Sequence, residues 1–161
     1  MSKSEIEIFS KKHDLNLPKG CISFLLKYNG AFVSPPSYCS LPFPKIDGEE
    51  IDFSMLFGIS TNEEPYDIEA ENYIRDEIEY FDNPLIIGSN SSNNYYVINC
   101  DNNDESVYCW DRTHIHYDDN YDYAEVDEEG KIYKFSDTFD EFFDAIFNNI
   151  GEEKDIQIVK L

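Results

Sequence analysis

The sequence predicts an α+β single domain in which an antiparallel sheet of four or more strands is flanked by N- and C-terminal helices. Three observations carry that reading. Apolar residues recur at helical spacing near both ends, β-rich runs broken by Asn, Gly and Ser lie between them, and 161 residues is about one domain's worth of chain. The β-rich runs follow one another directly, so the sheet they build is antiparallel. Residues 1–161 are read as one unit, with 1–14 a short N-terminal helical extension and 151–161 a C-terminal tail. Apolar residues make up 41% and aromatic residues 16% of the chain, which is enough for a core despite the acidity.

SKSEIEIFSKKH is the first expected helix. In LPKGCISFLLKYNG, Pro18 suits a first helical turn, Cys21, Ile22, Leu25 and Tyr28 recur at helical spacing, and Gly30 is placed to supply a left-handed stop. SPPSYCSLPFP reads as an irregular connection, EEIDFSMLFGIS as a strand, and IEAENYIRDEIEYF as a return to helical spacing through Ile74, Ile78 and Phe81. LIIGSNSSNNYYVINC carries a hairpin signature, SVYCW follows as a third strand and KIYKF as a fourth. Thr138 and Glu141 have capping-box spacing, opening a helix with Phe139, Phe142, Phe143 and Ile146 along one face. Leu25, Trp110, Phe139 and Phe142 are expected in the core.

Charge is unevenly placed. Of 34 acids and 12 bases, residues 46–130 hold 24 acids against only Arg75 and Arg112, which accounts for the whole net charge of −22. Such a field repels nucleic acid and anionic membrane and attracts basic partners. No apolar run approaches the ~18 residues of a membrane span, and the N-terminus lacks a signal-peptide pattern, so a cytoplasmic location is expected. Cys21, Cys39, Cys100 and Cys109 accordingly read as free thiols, with no C-x-x-C pair among them.

DDNYDYAEVDEE, residues 118–129, is the densest acidic stretch. As a calcium loop it would place Asp118, Asn120, Asp122 and Glu129 at ligand positions, but Tyr123 stands where the sharp turn requires Gly, and a strand rather than a helix is expected next. His114 and His116, with Asp111 and Asp118 nearby, could begin a zinc site, yet no cysteine or third histidine is spaced to close it. Neither a metal nor another cofactor is therefore expected. The chain has no G-x-S-x-G, H-E-x-x-H, Walker A or G-x-G-x-x-G pattern, and pairs such as Glu63/Glu64 or Asp76/Glu79 are expected by chance in so acidic a sequence. Trp110 and Tyr108 read as packing residues.

The order of these pieces resembles the SMI1/KNR4 family, also called the SUKH superfamily. LPKGCISFLLKYNG, Phe57-Gly58, IIGSN, VYCWD and FSDTFDEFFDAIF carry the likeness over about residues 15 to 148. By position, Leu17, Pro18, Asn29 and Gly30 match the motif, followed by Phe57, Gly58 and Gly88 and then by Trp110, Asp111, Phe139 and Phe142, most of them structural in character. After Asp111 the chain departs: members often have His or another acid there, and here Arg112-Thr113 follow. The resemblance implies a small α+β domain on an antiparallel sheet, and a bacterial toxin-immunity protein in particular.

Together, charge and resemblance give the functional expectation of an intracellular, non-enzymatic immunity protein. It binds a basic, nuclease-type toxin domain one to one. Asp118, Asp119, Tyr121, Asp122, Tyr123 and Glu125 are the expected contact residues, because acids steer a basic partner while tyrosines bury area at low entropic cost. Tyr95 and Tyr96 are read as further contacts of the same kind. The alternatives are a metal-dependent hydrolase using Asp111, His114, His116 and Asp118, and an intracellular regulatory scaffold.

Overall fold

The computed structural model describes residues 1–46, 48–61, 64–101, 104–113, 123–124, 131–150 and 156–157. Helix α1 (Lys3–His13) opens with a capping box, in which Ser2 Oγ accepts from the Glu5 N–H and Glu5 Oε2 accepts from the Ser2 N–H at 2.7 Å. Its buried face is Ile6 and Phe9. Helix α2 (Lys19–Lys27) starts from Pro18, whose carbonyl accepts the Ile22 N–H, and it buries Cys21, Phe24 and Leu25. The left-handed stop is one residue earlier than the sequence suggests. Asn29 takes φ 52° and Gly30 follows at φ 120°, because Asn tolerates the left-handed region better than other residues with a Cβ.

Among the described residues ten strands follow, in part from short runs that carry no periodicity: β1 (Ala31–Val33), β2 (Ser40–Pro42), β3 (Glu50–Asp52), β4 (Met55–Leu56), β5 (Pro84–Ser89), β6 (Tyr95–Asn99), β7 (Val107–Asp111), β8 (Tyr123–Ala124), β9 (Lys131–Ser136) and β10 (Ile156–Gln157). Eight of them form one antiparallel sheet in the order β10-β1-β4-β5-β6-β7-β9-β8, and β2 pairs with β3 separately. The expected strand within EEIDFSMLFGIS is thus two strands in two sheets. The switch falls at Phe53-Ser54, where the Phe53 N–H donates to Cys39 O and the Ser54 N–H donates to Ser89 O on the other sheet.

The expected helix through Ile74, Ile78 and Phe81 is also corrected. It is a four-residue α3 (Ile68–Glu71) that tightens into a 3-10 turn over Asn72–Glu77 and ends there. All three apolar residues are buried, but Ile78 and Phe81 lie beyond the helical turns. Asn72 explains the break. Its Oδ1 accepts the Ile86 N–H at 2.8 Å, while its Nδ2 donates to Ile86 O at 2.8 Å and to Ile68 O at 2.6 Å. One carboxamide therefore completes the edge of β5 where two-residue β4 stops short, and it ties the helical segment to the sheet.

Helix α4 (Phe139–Asn148) begins at Thr138, whose Oγ1 accepts the Glu141 N–H. Its Phe142 lies 4.8 Å from the Tyr96 ring, 5.3 Å from Phe135 and 6.2 Å from Phe53. Tyr96, Cys109 and Tyr133 are register partners, so they share that face, while Tyr95, Trp110 and Ile132 occupy the opposite one. Leu25, Trp110, Phe139 and Phe142 are all buried, as the sequence predicts.

Candidate protein-interaction surface

The motif residues shared with the resembled family build the frame of the surface. Asn29 Oδ1 accepts the Ile59 N–H at 2.9 Å and Asn29 Nδ2 donates to Ile59 O at 3.0 Å. The end of α2 is thereby locked to the chain after β4, and Gly58 passes so close that a Cβ there would overlap the Asn29 carbonyl. Asn29-Gly30 and Phe57-Gly58 are one structural unit, joined by a carboxamide and a close backbone approach.

The acids of the middle segment divide into two kinds. Several hold turns. Asp67 caps α3, its Oδ1 accepting the Glu69 and Ala70 N–H groups and its Oδ2 accepting the Thr61 N–H at 2.7 Å. Asp52 Oδ2 accepts the Ser91 N–H, and Asp104 accepts from the Ser106 N–H and from the Tyr108 hydroxyl. Those carboxylates are engaged in the fold. Others face solvent: Asp76, Glu79 and Asp82 are exposed on the segment after α3, beside Tyr73 at 77% exposure and Tyr80 at 48%. Residues 72–82 thus carry the tyrosine-and-acid chemistry that the sequence reading assigns to residues 118–125.

Arg112 connects this segment to the end of β7. Its guanidinium lies 4.7 Å over the Trp110 ring, and Nη2 donates to Glu77 Oε2 at 2.7 Å. The corner is rigid because buried Asn94 brackets it. Asn94 Oδ1 accepts the Arg112 and Thr113 N–H groups at 2.9 and 3.1 Å, and Asp111 Oδ1 accepts the Thr113 N–H at 3.2 Å. At this departure from the family pattern the Arg112 side chain pairs with Glu77, and Thr113 Oγ1 accepts from Asn94 Nδ2 at 3.0 Å. Burial raises the pKa of the nearby Tyr95 hydroxyl, and the Glu71 and Tyr73 charges raise it further against the opposing pull of Arg112.

Tyr123 and Ala124 form β8, pairing with Ile132 and Lys131 as the last strand of the sheet. Asp118, Asp119, Tyr121, Asp122 and Glu125 lie outside the described residues, as do His114 and His116. Tyr95 and Tyr96 are not surface contacts. Both are buried, and the Tyr96 hydroxyl donates to Asp52 O at 2.7 Å, because alternation in a strand covered on both faces turns each of them into packing. Sequence reasoning misses Tyr73 and Tyr80: they are spaced among Asp76, Glu79 and Asp82, but Ile74, Ile78 and Phe81 at helical spacing are the stronger signal in that segment.

Among the described residues no three His, Cys, Asp or Glu side chains converge on a possible metal position, and no helix is long and apolar enough to cross a membrane. No curated protein and no solved structure matches the chain. The model of the SMI1 / KNR4 family (SUKH-1) matches residues 1–145, a span that runs from α1 into α4. The chain belongs to the SMI1/KNR4 family (SUKH-1).

Proposed function

We propose that this protein is an immunity protein, which neutralises a cognate toxin domain by stoichiometric binding in the cytoplasm of the cell that makes both. The partner is basic, of the kind that acts on nucleic acid, and the acidic middle of the chain covers the surface by which it holds its target. The observation that carries the reading is the exposed strip of Tyr73, Asp76, Glu79, Tyr80 and Asp82, joined through the Glu77–Arg112 ion pair to the end of β7; the acidic sequence with Asp118, Asp119, Tyr121, Asp122, Tyr123 and Glu125 follows β7 in the chain. Family membership supports it, since many bacterial members of this family are immunity proteins. Acids supply steering and specificity, while exposed tyrosines supply buried contact area once the partner is seated. Binding rather than catalysis follows from that chemistry.

A growth assay tests it. The toxin domain encoded beside this gene should arrest cells when induced alone and leave growth normal when this protein is co-expressed. Arrest that persists despite expression of the folded protein would refute the proposal.

A further inference from the structure

Helices α2 and α4 leave an open groove of 340 Å³ between them, lined by no residue of the tyrosine-and-acid strip. The two helices can approach because of Gly20, where a Cβ would come within 3.0 Å of Phe139 Cβ and 2.9 Å of Asp140 Oδ1. Phe24 forms the floor. Phe143 stands 5.2 Å from it, Tyr28 5.5 Å from Phe143, and Phe147 4.9 Å from Phe143, giving a continuous aromatic wall whose outer member is 43% exposed. On the rim are Asp140 and Asp144, one helical turn apart. Neither carboxylate has an ion-pair or hydrogen-bond partner among the described residues. The groove's own cation, Lys27, lies instead over the Tyr28 ring at 4.6 Å.

An apolar occupant would bury the aromatic wall but give the two exposed rim carboxylates no partner. A cation satisfies both parts, because aromatic faces attract positive charge and the carboxylates complete its hydrogen bonds. Lys27 over the Tyr28 ring is one such cation–ring contact at this wall. A planar guanidinium suits the site better, since it stacks on rings and presents a fork of donors to carboxylates. From this charge complementarity we infer that the α2/α4 groove is a docking site for an arginine side chain presented by the basic protein partner. The inference rests on the binding role proposed above and adds to it a second anchor, separate from the strip at residues 72–82.

Two measurements test it. In the first, N-acetyl-arginine methylamide is titrated into the labelled protein and followed by amide shifts, with the uncharged isostere N-acetyl-citrulline methylamide as control. The inference predicts saturable shifts at residues 23–28 and 140–147 for the arginine probe alone, lost in the Asp140→Asn/Asp144→Asn variant. Equal response to citrulline would mean an apolar occupant, and concentration-dependent shifts of the same amides without any probe would mean a second copy of this chain; either result overturns it. In the second, the Asp140→Asn/Asp144→Asn variant and Phe147→Ala should each weaken binding of the purified toxin-domain partner by about tenfold or more, while Glu7→Gln, at an exposed acid of α1 outside the groove lining, leaves it unchanged. Unaltered affinity in the groove variants would overturn the docking role yet leave the immunity reading intact. If no toxin domain binds but the arginine probe still seats between α2 and α4, the immunity reading fails and the groove chemistry stands.

Discussion

Asn29 offers the sharpest test of how the family motif works, because two separable physical effects meet at one residue. The side chain makes two hydrogen bonds with the backbone of buried Ile59, at 2.9 and 3.0 Å, and the residue itself sits at φ 52°. Asn29→Ala removes both bonds and leaves the Ile59 N–H and C=O without partners in the interior, at about 1–2 kcal/mol each. It also places a Cβ with no compensating side-chain bond in the left-handed region, for roughly 1 kcal/mol more. The sum is about 3–5 kcal/mol out of the roughly 5–15 kcal/mol that hold a domain of this kind together. Asn29→Gly loses the same two bonds but not the backbone preference, so it should lie about 1 kcal/mol above the Ala variant. Urea unfolding read through Trp110, the single and fully buried tryptophan, gives both values. If both variants unfold within about 0.5 kcal/mol of the parent, or Gly proves less stable than Ala, the carboxamide lock is not what joins α2 to the Phe57-Gly58 segment.

The remaining expectations concern thiols, the α1 clamp and the acidic stretch. Burial pushes the Cys100 thiol up to about 12, and raises Cys21 and Cys109 further still, so these thiols stay protonated in the fold while unfolded ones ionise near their ordinary value. Stability from this source is complete below the unfolded value and falls as pH rises from there toward 12, by up to about 1.4 kcal/mol per pH unit for each thiol; unfolding curves from pH 8 upward check it, and a flat profile would count against it. Glu69 accepts hydrogen bonds from Lys12 at 2.8 Å and from His13 at 3.0 Å, which lower its pKa, so the clamp acts above its ordinary value and is lost as pH falls through the lowered one. Glu69→Gln should cost only about 0.5–1 kcal/mol near neutrality, since the pair is partly exposed, with the difference from the parent vanishing in acid. Replacing Asp118, Asp119 and Asp122 with Asn should slow association with the toxin domain, whereas Tyr121→Ala and Tyr123→Ala should speed dissociation; stopped-flow kinetics across salt concentrations separate the two effects, and unchanged rates would make the stretch a solvated loop.

Elements with their own local signals were legible in the sequence. The Thr138 N-cap, the apolar faces of α2 and α4, and the β5–β6 hairpin with β7 and β9 all carry their signals in contiguous residues. The short strands β1, β4, β8 and β10 do not, because two or three residues define no period and their partners are distant in the chain. The switch between sheets at Phe53-Ser54 and the end of α3 at Asn72 are equally invisible, since each is set by hydrogen bonds to residues that only the fold brings near. On the surface side, composition located the acidic excess but could not divide it. Asp52, Asp67 and Asp104 hold turns, Asp76 and Glu79 face solvent, and nothing in the residue type distinguishes them. Tyrosine misled for a related reason: Tyr95 and Tyr96 became core through strand alternation, while Tyr73 stands exposed on the 3-10 turn and Tyr80 in the turn that follows it.

The account stands or falls on whether this chain works by occupying its partner. Titrating the purified toxin domain with the purified protein, and recording both heat of binding and residual toxin activity in the same series, addresses this most directly. One protein bound per toxin domain, with activity falling linearly to zero at equivalence and returning when high salt dissociates the complex, is the predicted result. Loss of activity at a small fraction of equivalence, or no heat and no inhibition at any ratio, would contradict it.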